Sequence, residues 1–369
     1  MFHERNNLIV ASSRSITGTK EHSSISPVRS LPAGLRRCAL ILVALMIFLA
    51  LAGLVYQTLG NLHDPHRFPQ RGRSVQAGNL RLNIDCSGHG SPTVILESGM
   101  GVPGVGWAMV QPEVAKFTRV CSYDRAGYGW SDAGPKPRTS LQIAKELRAL
   151  LDASGEQGPF VMVGHSFGGY NVRVFTSMYP NDVVGIALID AAHGDEVERI
   201  AELLPPRVRS QQSQRDRREA LLNRILSPLL IHLGINRSMT ALGWDGQALL
   251  PKELREELLY LNRRSEEAGM AEDTSDSASW DQVRSAGNLG DRPLIVLTAG
   301  IPYDPDPLLS KEELDKQNGL WINVLQAEEA RLSTRGKQVV VPDSGHMIPF
   351  ERPASVVSAI REVWAAVQK

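Results

Sequence analysis

The residues that could do chemistry centre on Gly164-His165-Ser166-Phe167-Gly168-Gly169. This run follows the apolar stretch FVMVG and precedes YNVRVFTSMY, which reads as a helix. A serine in a tight strand-to-helix turn has its hydroxyl lifted above the sheet, and the helix N-terminus favours the negative charge that develops there. That is the placement of a nucleophile. A serine hydroxyl attacks poorly until a base removes its proton. Of the nine histidines, His3, His22, His63 and His66 lie ahead of any folded unit, His89 lies in a turn, and His232 lies in a charged helical stretch. His165 adjoins Ser166 in sequence, so its ring should point elsewhere. His346, in Asp343-Ser344-Gly345-His346-Met347 just past the last apolar run, is the expected base, with His193 as the rival. The chemistry would be acyl transfer through a serine ester, released by water that His346 activates.

Elements must bring these residues together. Val75–Ala77 and Leu80–Cys86 flank Gly78-Asn79 as a hairpin, which suggests an antiparallel edge. Short apolar runs at Thr93–Glu97, Arg119–Asp124, Phe160–Gly164, Val183–Ile189, Leu294–Leu297 and Gln338–Val341 read as strands. Ser140–Ala153 carries Leu141, Ala144, Leu147, Leu150 and Leu151 at helical spacing, with Thr139 or Ser140 as N-cap, and Pro353–Val367 closes the chain as an amphipathic helix. Continuous apolar strands between helices predict an α/β fold, a mostly parallel central sheet covered on both faces. Residues 191–292 are rich in charge and in leucine at helical spacing, without a convincing strand. They are expected to form a helical lid over a core built from 74–190 and 293–369.

The same chain resembles the α/β-hydrolase superfamily from about residue 74 to its end. Besides the serine turn, Tyr123-Asp124-Arg125-Ala126-Gly127-Tyr128-Gly129-Trp130-Ser131-Asp132 is similar to the segment after that family's fourth strand, and Ser344-Gly345-His346 with Glu351-Arg352-Pro353 is similar to its histidine loop and last helix. The resemblance implies an oxyanion hole made by the backbone N–H of Phe167 and of Met100, in the loop Ser98-Gly99-Met100-Gly101; many relatives carry His-Gly where this chain has Ser98-Gly99. It also implies an acid after either of two strands. Asp190 sits directly at a strand end and is preferred. Asp304 is the alternative, with Asp306 beside it, but it stands four residues beyond Gly300 where relatives commonly have three. The antiparallel neighbourhood of the second and fourth strands would allow a Cys86–Cys121 disulfide; two reduced cysteines are the other expectation. Carboxylic esters of small or lipid-like acyl groups are the expected substrates. Amide, lactone, thioester or carbon–carbon bond hydrolysis and perhydrolysis use the same scaffold, and a non-catalytic binding module is the reading from another class. Enzymes of this fold that work through an aspartate nucleophile are disfavoured by Ser166.

Ahead of the core, Cys38–Tyr56 runs for 19 residues without a charge. As a helix it spans about 28 Å, close to the hydrocarbon thickness of a bilayer. Residues 1–37 hold six Lys/Arg against two acids and read as a flexible cytoplasmic tail; 57–73 read as a linker. The positive-inside rule then places the catalytic domain of a single-pass membrane protein outside the cytoplasm. Cleavage of a signal at Ala50-Leu51-Ala52 and secretion is the alternative. Lysine plus arginine equal aspartate plus glutamate at 40 each, so nothing points to nucleic acid. Three cysteines without a C-x-x-C pair, and no H-E-x-x-H, leave a small-molecule substrate with neither metal nor cofactor as the expectation.

Overall fold

The computed structural model describes residues 32–244, 249–303 and 306–368. Eight strands make one sheet: β1 (Arg73–Ala77), β2 (Leu80–Ser87), β3 (Thr93–Glu97), β4 (Val120–Tyr123), β5 (Phe160–His165), β6 (Val183–Ile189), β7 (Leu294–Ala299) and β8 (Gly336–Val341), in the order β1-β2-β4-β3-β5-β6-β7-β8. β1–β2 and β2–β4 pair antiparallel, and every other neighbour pairs parallel. The mostly parallel α/β sheet with an antiparallel edge is therefore the fold the chain adopts. Side chains alternate across it as the pleat requires. In β5, Phe160 and Met162 face one apolar cluster while Val161 and Val163 face the other, all fully buried. The first cluster is covered by α3 (Ser140–Ser154) and α4 (Gly168–Met178), the second by α2 (Gln111–Val114) and α13 (Pro353–Val367). Thr139 caps α3, its hydroxyl accepting the Gln142 N–H at 3.4 Å.

Between β6 and β7 the chain forms α5 (Glu196–Leu203), α6 (Pro206–His232), α7 (Ile235–Leu242), α8 (Lys252–Asp273) and α9 (Asp276–Ser285), with no strand among its described residues. After β7 come α10 (Lys311–Leu320), capped by Ser310, a π-helical turn at Trp321–Leu325, and α11 (Gln326–Arg331). The short α12 (Ile348–Glu351) follows β8. Cys86 and Cys121 lie opposite one another in the β2–β4 ladder and are joined as a disulfide. Of the two outcomes open in the sequence, the bonded one is found.

The helix ahead of the core is longer than its apolar run. α1 spans Ala33–Arg67, so it starts inside the stretch read as a tail and continues through most of the stretch read as a linker. Residues 1–31 lie outside the described residues. The extension has a physical cause in the globular unit. Gln57 and Asp64 are buried, Asp64 pairs with Arg237 of α7, and Arg67 pairs with Glu256 of α8. These tertiary contacts hold a polar segment helical that composition alone would leave as a loop. The apolar side chains from Leu40 to Leu49 are exposed, on a helix long and apolar enough to cross a bilayer.

Candidate active site

The carboxyl ends of β5, β6 and β8 carry the residues singled out in the sequence. Ser166 follows β5 with φ +53, a left-handed conformation that side chains seldom adopt, and its neighbours explain why it is tolerated. A Cβ on Gly164 would lie 2.6 Å from the Gly168 carbonyl oxygen, and one on Gly168 would lie 2.5 Å from the Glu97 oxygen. Glycine is therefore needed on both sides of the turn. The turn is also pinned from β6: Ser166 N–H donates to Ile189 O at 3.2 Å, and Ser166 O accepts from Ala192 N–H at 3.0 Å.

Asp190 directly follows β6, is fully buried and has φ +39. Its Oδ2 accepts a hydrogen bond from His346 Nδ1 at 2.7 Å. Its Oδ1 accepts from the Trp321 indole N–H and from the Ala299 backbone N–H, both at 2.9 Å. With three donors, the buried carboxylate has its hydrogen bonds satisfied. The alternative Asp304 lies outside the described residues; its neighbour Asp306 faces Arg215 instead.

His346 sits in the loop between β8 and α12. Glu351 holds that loop, accepting the Gly345 N–H at 2.6 Å, while Arg352 pairs with Asp343 at 2.6 Å. Burial alone would lower the His346 pKa, but the hydrogen bond and charge of Asp190, with the charges of Glu196 and Glu351, raise it above the usual value. With Nδ1–H spent on Asp190, the neutral ring has Nε2 free to accept a proton. Ser166 Oγ makes no hydrogen bond among the described residues; serine–base bonds are commonly long without substrate and tighten on binding.

The His165 ring packs against that of His346, centroids 5.0 Å apart, and its Nε2 lies 3.0 Å from the His346 carbonyl oxygen, so its hydrogen bond goes there rather than to Ser166 Oγ. A carbonyl can only accept, so Nε2 carries the proton. Burial, then the nearby His346 charge, push its pKa down to about 4, so it stays neutral. The rival His193 faces Glu328 and Glu329 at 3.4 and 3.9 Å and takes no part in the Asp190 contacts.

The loop after β3 passes close to the serine: a Cβ on Gly99 would lie 3.3 Å from Ser166 Cβ. Among the described residues neither the Met100 nor the Phe167 N–H has a hydrogen-bond partner. The loop is held by Arg125, which donates to Ser98 O at 2.7 Å and Gly99 O at 2.9 Å, and by Tyr128, whose hydroxyl accepts the Gly101 N–H at 3.0 Å. Arg125 is itself buried between Glu97, at 2.9 Å, and Glu272 of α8, at 2.8 Å. Asn171 and Tyr123 complete the hydrogen bonds of Glu97.

Three of these groups went unrecognised in the sequence. Trp321 stands in an ordinary helical stretch, Glu97 ends an apolar strand, and Glu272 lies among charged residues. The D-x-R pattern did mark Arg125, without its partners. Glu196 also went unnoticed: burial first, then the charges of Asp276 and Asp190, push its carboxyl up to about 7. As for metals, Glu156 lies close to the Cys86–Cys121 disulfide, but it is bound by Arg119 at 2.6 Å, and bonded sulfurs are not thiolate ligands. A cavity of about 430 Å³ lies along β2, lined by Asn83, Asp85, Gln111 and Ser122, away from Ser166, Asp190 and His346.

The sequence profile described as "Alpha/beta hydrolase family" matches residues 89–359. A protein named probable transporter efuK from Hormonema carpetanum is 26% identical over 317 residues, 78% of this chain and 42% of that one. The chain thus spans under half the length of the curated relatives that head the comparison. A putative acyltransferase from Salmonella enterica superposes with a TM-score of 0.58 at 18% identity, over 81% of this chain and 97% of that one. A thermophilic esterase from Thermogutta terrifontis does so with a TM-score of 0.51 at 21% identity, over 80% and 98%. At these identities the likeness is one of fold.

Proposed function

Given that the chain belongs to the alpha/beta hydrolase family, we propose that it is a serine hydrolase with Ser166 as nucleophile, His346 as general base and Asp190 as the acid that orients it. The reading rests on one observation above the others. The Asp190 carboxylate holds His346 Nδ1 at 2.7 Å, on the sheet rim where Ser166 sits in its strained turn. Ser166 Oγ attacks the acyl carbon as His346 Nε2 takes its proton. The oxyanion lies against the free N–H groups of Met100 and Phe167, each such donor being worth about 3 kcal/mol in the transition state. His346 then protonates the leaving group, and water, deprotonated by His346, releases the acyl group and restores the serine.

Carboxylic esters of small or lipid-like acyl groups are the proposed substrates. Residues 191–292, the segment of α5–α9, are proposed as the lid, and α1 as an anchor that leaves the catalytic unit outside the cytoplasm. The Cys86–Cys121 disulfide supports that side of the membrane, since such bonds persist in oxidising compartments. A fluorophosphonate probe tests the core of the proposal. It should label the wild type and not Ser166→Ala, which should stay folded and lose essentially all turnover on p-nitrophenyl esters. Full activity of that variant would refute the assignment.

A further inference from the structure

The helical segment between β6 and β7 carries an exposed apolar surface that no part of the proposed chemistry uses. On α6, Leu222, Leu226 and Leu229 are 50%, 43% and 51% exposed. They stand at i, i+4 and i+7, one face of the helix. On α7, Met239 and Leu242 are 40% and 59% exposed, and Trp244, just past its end, is 69% exposed. Scattered surface leucines need no explanation, but three on one helix face, with three more exposed apolar side chains on and just past the next helix, mark a contact surface.

Its position names the partner. The α6–α7 junction packs against the last turns of the apolar run of α1: a Cβ on Gly53 would lie 2.2 Å from the Leu233 carbonyl oxygen, and one on Gly234 would lie 3.0 Å from the Gly53 oxygen and 3.2 Å from Tyr56. Glycine at both places lets the backbones touch. Wherever Leu51–Tyr56 meets lipid headgroups, the junction lies beside it. The sequence of α6 adds six arginines against two acids; Arg207 pairs with Glu313 and Arg215 with Asp306, and the net positive charge of the helix suits an anionic bilayer surface. A tryptophan at the end of such a surface suits the same boundary.

We propose that α6 and α7 rest in the membrane interface, with Leu222, Leu226, Leu229, Met239, Leu242 and Trp244 in contact with lipid. The globular unit then has a second, in-plane attachment besides α1. The inference stands whether or not Ser166 is a nucleophile.

The full chain carrying Cys38→Ser is given one cysteine at a time, as Leu226→Cys, Leu242→Cys or Ser358→Cys, the last on the exposed face of α13. Each is labelled with NBD and reconstituted into phosphatidylcholine/phosphatidylglycerol vesicles. Labels at 226 and 242 should emit to the blue of the label at 358. Since interfacial helices sit about 5–10 Å into the headgroup–acyl boundary, a doxyl group near the headgroup should quench them more than one near the chain end. Labels at 226 and 242 that match 358 in colour and quenching would overturn the proposal. So would a blue shift without lipid quenching that fades as protein is diluted in lipid, for then a second copy of the chain covers the stripe.

Discussion

The two sides of Ser166 are built on different electrostatic plans. On the acid side a single charge, Asp190, is met by neutral dipoles, the Trp321 N–H and the Ala299 N–H, and by the imidazole it orients. Ala299 ends β7, Trp321 opens the π-helical turn after α10, and His346 follows β8, so all lie outside the inserted segment. On the side proposed for the oxyanion three formal charges, Glu97, Arg125 and Glu272, are buried in one row, and the last comes from α8 in the inserted segment. A charge held by dipoles strands no second charge when one donor is lost. A row of ions breaks when any member leaves, because the others are stranded without water. The oxyanion loop is therefore tied to the placement of α8, whereas the acid is not.

Asp190→Asn tests the acid side hardest. It keeps the shape but leaves His346 Nδ1 without its acceptor, and kcat should fall by about 10⁴-fold. A drop of only a few-fold would mean that another carboxylate orients the ring. Glu272→Gln probes the other side: denaturant unfolding should show a loss of about 3–5 kcal/mol, since Arg125 and Glu97 stay behind unbalanced. A misplaced oxyanion loop should also lower kcat about 10²-fold, with the pH profile unmoved. If stability and turnover both survive, α8 does not set the loop.

The pH profile separates the sides further. As the proposed base His346 must be neutral to act, and Asp190 raises its pKa above the ordinary 6.5, so the acid limb of kcat/KM should lie above pH 6.5 in the wild type. That limb should shift downward in Asp190→Asn, whose His346 loses its negative partner, and stay put in Glu272→Gln. Trp321→Phe should have the mildest effect, about 2 kcal/mol of stability for one hydrogen bond to a buried carboxylate. The acid limb should then rise slightly, as Asp190 has one donor fewer and pulls harder on the imidazolium. An unchanged Tm would show that water replaces the indole.

What the sequence made legible follows from range. Apolar runs and turn residues act locally, so β3, β6 and α13 were read with the bounds they have in the structure, and the Gly-flanked serine was placed between β5 and α4. Asp190 could be preferred because a strand end fixes a position without knowledge of its partners. Trp321, by contrast, reaches Asp190 across 131 residues, and Glu272 reaches Arg125 across 147. No periodicity encodes such pairings. Nor did composition foretell that α1 would run on to Arg67, a result of contacts with α7 and α8, or that two helices would intervene between β7 and β8.

The positive φ of both Ser166 and Asp190 narrows the routes by which this site could drift in evolution. A residue branched at Cβ is a steric outlier in that region of backbone space. Threonine, chemically a near twin of serine, is thus shut out of position 166 by shape, while cysteine, unbranched and differing by one atom, would fit. A lineage exchanging the proposed attacking atom from this starting point should therefore pass to sulfur before it ever passes to a secondary alcohol.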